Sequence, residues 1–455
     1  MTSFTSIDPT TGRTLWTTPA TTPEAIEAAL QEATETQVRW AAAPPEERSA
    51  VLLRLARLLE QDEHELAALM VQEMGKPWLQ ARAEIGKCAS AARYFADNAS
   101  AMLADEVVPT DARSSGVVYR PVGVVFGIMP WNFPFWQVFR FSVPALMAGN
   151  AVVFKHAPGT MGCGERIAAL FRKAGAPRGL IQHLVITNET SISILEDRRI
   201  AAVTLTGSKP AGRAVAATAG AHLKLVVLEL GGSDAFIVMP SADLDAAAQT
   251  VVQSRVGNNG QSCIAAKRLI VHASVAEPLL ARVRSAFAAL QLGDPMDESV
   301  DIGPLASAEA RAALHAQVES SVAAGARLEL GGVIPPSPGF FYPPTLLTDV
   351  PRDSAAACEE LFGPVLSVFT VADWDEAVAL ANDSSFGLAA SVWTHDPEQA
   401  RDATERLAVG AVFVNAMSRS DARLPFGGTR ESGFGRELGR AGILSFCHTK
   451  TYWYA

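Results

Sequence analysis

The sequence predicts an α/β protein built on parallel sheets and divided into more than one domain. Three observations carry this. Between Val122 and Glu229, short apolar runs rich in Val, Ile and Leu alternate with stretches whose apolar residues recur at helical spacing. The alternation resumes from Arg268 to Asn415, after the turn that carries Cys263. The chain of 455 residues is also longer than one hydrophobic core usually serves.

Taken in order, residues 6–20 read as a turn between short extended pieces. Thr22-Pro23-Glu24 has the form of a helix N-cap followed by Pro, and Ile26, Leu30 and Ala33 repeat on one helical face. A second helix is expected from about Glu46 to Met74 and ends at Gly75 and Pro77; a third runs from about Leu79 to Leu103. This helical opening reads as scaffold. Val107–Tyr119 reads as a hairpin around a polar turn, and the C-terminal Lys450–Ala455 is extended and aromatic. These two edges are expected either to make subunit contacts or to share a sheet within the chain.

The strand Val122–Met129 delivers Trp131 and Asn132, and a helix follows from about Phe135. Asn132 has two readings at this stage: an N-cap for that helix, or an amide donor aimed at a developing oxyanion. The strand Ala151–Phe154 ends in Lys155, at the edge where open α/β sheets bind ligands, although a solvated strand end would look the same. A strand over Ile200–Thr206 leads into Gly207-Ser208 and a helix with Gly212 in its first turn. Free N–H groups there suit a phosphate, but the spacing is not GxGxxG. Leu225–Leu228 delivers Glu229, Leu230 and two glycines; Glu229 reads as a desolvated acid–base group or as a strand-end charge.

Cys263 follows 34 residues later, with one helix, about Leu244 to Val256, to bring the chain back. Asn258, Asn259 and Gly260 favour a tight bend that would hold the thiol at a turn tip, whereas an isolated cysteine is more often a buried apolar filler. Strands and helices then alternate through Val365–Val371, Trp374–Asn382 and Ala411–Asn415, interrupted by Glu360-Leu361-Phe362-Gly363-Pro364. A glycine-rich loop from Leu424 to Glu437, containing Phe426, reads as ordered and lying over a site.

Bulk properties exclude several classes. Lys and Arg number 38 against 48 Asp and Glu, a net charge of −10, which argues against nucleic acid or an anionic membrane as partner. Five widely spaced cysteines with no CxxC pair argue against a disulfide frame or a zinc site, so no metal is expected. No apolar run approaches the ~20 residues that span a bilayer, and the first residues lack a signal-peptide pattern, so a cytoplasmic protein is expected.

Together, Pro130-Trp131-Asn132-Phe133-Pro134, the Lys155 strand end, Gly207-Ser208 with Gly212, Glu229-Leu230-Gly231-Gly232, Gly260-Gln261-Ser262-Cys263, Glu360–Pro364 and the Pro425–Glu437 loop resemble the aldehyde dehydrogenase superfamily over essentially the whole chain. Trp136-Gln137-Val138, Lys155-His156-Ala157-Pro158 and Ser420-Asp421-Ala422-Arg423 are similar to the short bacterial succinate-semialdehyde dehydrogenases. The resemblance implies the α/β aldehyde dehydrogenase-like fold with a β-hairpin oligomerisation element. Residues 1–106 and 122–230 would form the NAD(P)-binding domain and 231–432 the catalytic domain with Cys263. Residues 107–121 and 445–455 would be oligomerisation strands, and 433–444 a return segment on the cofactor domain.

It implies chemistry as well. Cys263 attacks an aldehyde to give a thiohemiacetal, Asn132 and the Cys263 N–H stabilise the oxyanion, and hydride transfer to NAD or NADP leaves a thioester that Glu229 helps water to hydrolyse. Trp131, Lys155, Pro158, Gly207, Ser208, Gly212, Leu230, Glu360 and Phe362 are implied cofactor contacts. Pro158 stands where many NAD-preferring relatives carry Glu, which permits NADP. Arg140, Trp136, Arg423 and Phe426 are implied substrate contacts, with Arg140 expected to pair the carboxylate of succinic semialdehyde or, alternatively, to form a surface or interdomain salt bridge. A homodimer or homotetramer is implied. The competing expectations are oxidation of another small aldehyde, a cofactor-free cysteine acyltransferase or hydrolase, and a non-catalytic relative. No histidine stands where it could serve as base for the hydrolase.

Overall fold

The structure is a computed structural model and describes residues 2–455. Two sheets organise it. The first has six strands in the order Gly433–Phe434, Leu225–Glu229, Ile200–Thr206, Val124–Ile128, Ala151–Lys155 and Ile181–His183; all pairings are parallel except that of Gly433–Phe434 with Leu225–Glu229. The second has seven strands in the order Arg327–Leu330, Thr345–Thr348, Val365–Val371, Arg268–His272, Ala235–Val238, Ala389–Trp393 and Ala411–Val414, antiparallel only at the first pairing. The central strands of both sheets are buried almost without interruption, which explains their uniformly apolar sequences.

The helices Pro23–Ala42, Pro45–Gln61, Glu63–Met74 and Trp78–Met102 pack with the first sheet in one continuous apolar core. The single helix expected over residues 46–74 is two, broken at Asp62. That residue sits at φ −96°, ψ 10°, and its carboxylate meets Lys173 3.0 Å away. Leucine spacing continues across the break, so periodicity alone hides it.

The two extended edges pair with each other. Cys447–Tyr454 runs antiparallel to Ser114–Pro121 over eight residue pairs, and Glu106–Val107 closes the other side. The alternative of strands sharing a sheet within one chain therefore describes this element. Its outer strand stays open, with Trp453 52% and Tyr454 57% exposed. No helix among the described residues is long and apolar enough to cross a membrane.

Candidate active site

Four neighbouring parallel strands of the six-stranded sheet end on one edge, and each carries or leads to a residue singled out from the sequence. Leu225–Glu229 ends in Glu229, Ile200–Thr206 leads into Gly207-Ser208, Val124–Ile128 into Trp131-Asn132, and Ala151–Lys155 ends in Lys155. The C-terminal edge of such a sheet is where α/β folds gather ligands, because each strand ends there and a helix N-terminus begins.

The Cys263 turn is brought to this edge by backbone that few sequences could adopt. Asn258 and Asn259 take φ of 56° and 58°, and Gly260 takes 74°. A Cβ on Gly260 would lie 2.2 Å from the Gly363 carbonyl carbon, so this glycine is required by both conformation and space. Asn259 fixes the bend by donating to the carbonyls of Gly75 and Pro304 while its own oxygen accepts from Gly303 N–H at 2.8 Å. Beyond it, Lys267 Nζ donates to the Ser262 and Cys263 carbonyls at 2.9 and 2.6 Å. The thiol is thereby held in a turn between two anchored segments.

Asn132 does not cap the helix that follows it. Glu84 does: its Oε1 accepts from Phe135 N and Trp136 N, both at 2.9 Å, and its other oxygen pairs with Lys76. The Asn132 side chain is freed for the Cys263 turn, and its Nδ2 donates to the Gln261 carbonyl at 3.0 Å. Asn258 ties the same two segments by donating to the carbonyls of Asn132 and Gln261.

Glu229 is buried, and neither carboxyl oxygen has a hydrogen-bond partner among the described residues. Burial pushes this carboxyl well above the usual carboxylate range; Arg140 opposes the shift and Glu437 adds to it. The Cys263 thiol retains partial exposure, yet the surrounding protein pushes it up to about 11, against the pull of Arg140 and then Lys267. The Arg140 charge acts on both Glu229 and Cys263.

Arg140 itself departs from expectation. It is 2% exposed, with Nε paired to Glu437, Nη2 donating to Thr206 Oγ1 at 3.0 Å and the guanidinium 4.7 Å from the Phe426 ring centre. The guanidinium expected to meet a substrate carboxylate is thus engaged inside the protein. Arg423 is also occupied: it is exposed and forms a two-pronged pair with Asp421 at 2.8 and 2.6 Å. Trp136 is buried beneath the ammonium of Lys87, 4.3 Å from its ring centre.

The residues implied for a dinucleotide form a cradle. Trp131 and Phe362 meet edge to face, with ring centres 5.6 Å apart. Glu360 accepts from Gly232 N at 3.0 Å and pairs with Lys267 at 3.2 Å. A Cβ on Gly231 would fall 2.2 Å from Glu360 Oε2, and one on Gly232 2.8 Å from the Cys263 carbonyl oxygen. The two glycines allow close approach of Glu360 and of the cysteine turn. Gly212 admits Leu230, whose side chain would be 2.7 Å from an added Cβ. Ser208 caps the helix Lys209–Ala221. Lys155 Nζ, desolvated, donates to Asn188 Oδ1 at 3.1 Å, and Pro158 opens the short helix Pro158–Thr160. The paired aromatics, the glycine-shaped space beside Glu360 and a lysine with one neutral partner fit a phosphorylated dinucleotide.

Several participants were not singled out from the sequence. Glu84, Lys87, Asn188 and Lys267 were given no role, and Glu437 was seen only as the end of a loop. Lys267 had a usable signal, four residues after the cysteine.

A thiol held in a turn, an unpartnered buried carboxyl and an amide, with residues that suit a dinucleotide, are the equipment of an oxidoreductase of the α/β class. The chain belongs to the aldehyde dehydrogenase family, whose model matches residues 1–452. It is 51% identical over 450 residues to a probable succinate-semialdehyde dehydrogenase (NADP+) of Synechocystis, covering 99% of each chain. It is 47% identical over 455 residues to succinate-semialdehyde dehydrogenase (NADP+) 1 of Mycobacterium tuberculosis, with 99% of each covered. Among solved structures it is similar to succinic semialdehyde dehydrogenase from Streptococcus pyogenes in complex with NADP+, at TM-score 0.97, 33% identity and 99% coverage of both chains. An NAD-dependent aldehyde dehydrogenase from Sinorhizobium meliloti matches at TM-score 0.96 and 35% identity, covering 99% of this chain and 91% of that one.

Proposed function

We propose that this protein is a cytoplasmic enzyme that oxidises a short ω-carboxy aldehyde, with succinic semialdehyde as the leading substrate, to the carboxylic acid. One observation carries the reading: Asn132 donates to the Gln261 carbonyl, two residues before Cys263, and the buried Arg140 charge acts on both Cys263 and Glu229. The substrate class is supported by the names of relatives that are 47–51% identical over essentially the whole chain.

In this reading Cys263 forms the carbon–sulfur bond as thiolate. Burial keeps the thiol largely protonated near neutral pH, so its proton must pass to solvent as the carbon–sulfur bond forms, leaving Glu229 for the later attack of water. Asn132 Nδ2 has two hydrogens. One is held by Gln261, and the other is available to the oxyanion. Bound NAD or NADP supplies the hydride acceptor that turns the aldehyde level into the acyl level. Trp131 and Phe362 wall the nicotinamide end, Glu360 takes the adjacent ribose, and Lys155, Pro158, Gly207 and Ser208 take the adenosine and phosphate end, with Gly212 and Leu230 packed beneath. Lys155 has no carboxylate beside it, which favours acceptance of a 2′-phosphate. Glu229 then takes a proton from the attacking water, the carbon–sulfur bond breaks, and Cys263 is restored. Trp136 and Phe426 are walls for the aldehyde's chain. The open outer strand Cys447–Tyr454 supports assembly as a homodimer or homotetramer through this sheet.

The test is the absorbance of reduced nicotinamide on mixing the protein with succinic semialdehyde and NADP+ or NAD+. Turnover with at least one cofactor is expected; none across several aldehydes would overturn the reading.

A further inference from the structure

We infer that Lys87 receives the distal carboxylate of the aldehyde substrate, with the Ser420 hydroxyl as its partner. The inference rests on the substrate class proposed above and names the residue that selects it.

A cavity of about 810 Å³ opens beside the cysteine turn. Phe133, adjacent to Asn132, lines it, as do Ser262 and Ile264 on either side of Cys263, and Lys87 and Ser420 further along. Cys263 itself is not among the lining residues, but both its neighbours are, so the cavity runs past the cysteine turn to the lysine, and its size is that of small-molecule sites. Lys87 is half-buried in the helix Trp78–Met102. Its Nζ donates to Ser420 Oγ at 2.7 Å and lies over the Trp136 ring. No carboxylate pairs with it among the described residues, whereas the buried Lys76, just before the same helix, is paired with Glu84. A half-buried ammonium without an anion is costly unless an anion arrives. An ammonium has three donors, so two remain beyond the bond to Ser420, and the serine hydroxyl keeps its own hydrogen to donate alongside them.

The other cations near this space are less suited. Arg140 is held by Glu437 and Thr206, and Arg423 by Asp421. Arg419 lines the cavity but is exposed, where water competes for any anion. Charge around Lys87 is mixed. Burial, and then Arg140, lower its pKa to about 8, while Cys88, Glu84 and Asp421 act in the other direction. The ammonium form dominates below that value and is lost above it, so carboxylate binding should weaken as pH rises past about 8 while an uncharged aldehyde is indifferent to this step.

The experiment compares succinic semialdehyde with butanal, its uncharged counterpart of equal chain length, in wild type, Lys87→Met and Lys87→Arg. Wild type should prefer succinic semialdehyde by kcat/KM. In Lys87→Met that preference should fall roughly 100-fold, mainly through KM, in line with loss of a charge-assisted contact. Lys87→Arg should restore much of it. Binding of reduced cofactor, followed by fluorescence, reports that each variant is folded, and Lys87→Gln replaces the Met variant if that one is insoluble. A wild type that prefers succinic semialdehyde while the Met and Gln variants keep the preference overturns the Lys87 assignment alone. A wild type with no preference for the carboxylate overturns the substrate class and the assignment together.

Discussion

At the scale of single residues, the account depends on environments that contradict ordinary solution chemistry. With its thiol pushed up to about 11, Cys263 should react slowly with iodoacetamide at pH 7, and the rate should keep climbing as pH rises through 9. A plateau below pH 8 would show a thiolate already formed. Asn132→Ala should lower kcat by about 10²–10³-fold with little change in cofactor affinity, the usual loss for one oxyanion donor. Equal loss in Gln261-anchoring variants such as Asn258→Ala would instead point to collapse of the turn. The groups proposed to react were singled out in the sequence because each sits inside a short contiguous motif at a strand end or turn. Their partners were not. The Arg140–Glu437 pair spans 297 residues of chain, and nothing local to either residue announces it. Read locally, Arg140 was an available guanidinium; folded, it serves the carboxylates behind the cysteine.

At the scale of elements, the same edge is held by unusual local conformations and buried caps. Gly260→Ala forces a Cβ at φ 74° into the Gly363 backbone, and should cost on the order of 2–4 kcal/mol, read as a lower denaturation midpoint together with loss of turnover. A stable, active alanine variant would mean that the turn has another way to form. Glu84→Gln leaves Lys76 without its counter-charge and weakens the cap on the helix Trp136–Met147, with about 3–5 kcal/mol expected for a broken buried pair. Adding Lys76→Met should recover part of that loss, measured by chemical denaturation. Most elements were visible as apolar runs or helical spacing: Val365–Val371 and Trp374–Asn382 fall where expected. The strand Ala235–Val238, the helix Asn188–Glu196 and the helix Pro397–Arg406 went unread. The first is only four residues long, the second is rich in Thr and Ser that obscure helical spacing, and the third has a single buried residue and so almost no apolar stripe.

At the scale of the whole molecule, two largely parallel sheets organise the chain, and a small antiparallel sheet leaves the outer edge of one long strand open. Thr451→Pro removes a ladder donor in the middle of that strand, opposite Val117. Sedimentation velocity should then show a shift towards the single chain; unchanged assembly would assign the contact to another face. The parallel order was legible from strand–helix alternation, but the joining of residues 114–121 to 447–454 was one of two open alternatives, since unpaired edges look alike whether they meet their own chain or a copy. The central claim is that Cys263 captures the aldehyde and Glu229 activates the water that releases it. The most direct measurement is rapid mixing of Glu229→Gln with cofactor and succinic semialdehyde. The account predicts a burst of about one equivalent of reduced nicotinamide per site, then steady turnover slowed about 10²–10⁴-fold, in the range of a lost general base. Steady turnover equal to that of the wild type would contradict it.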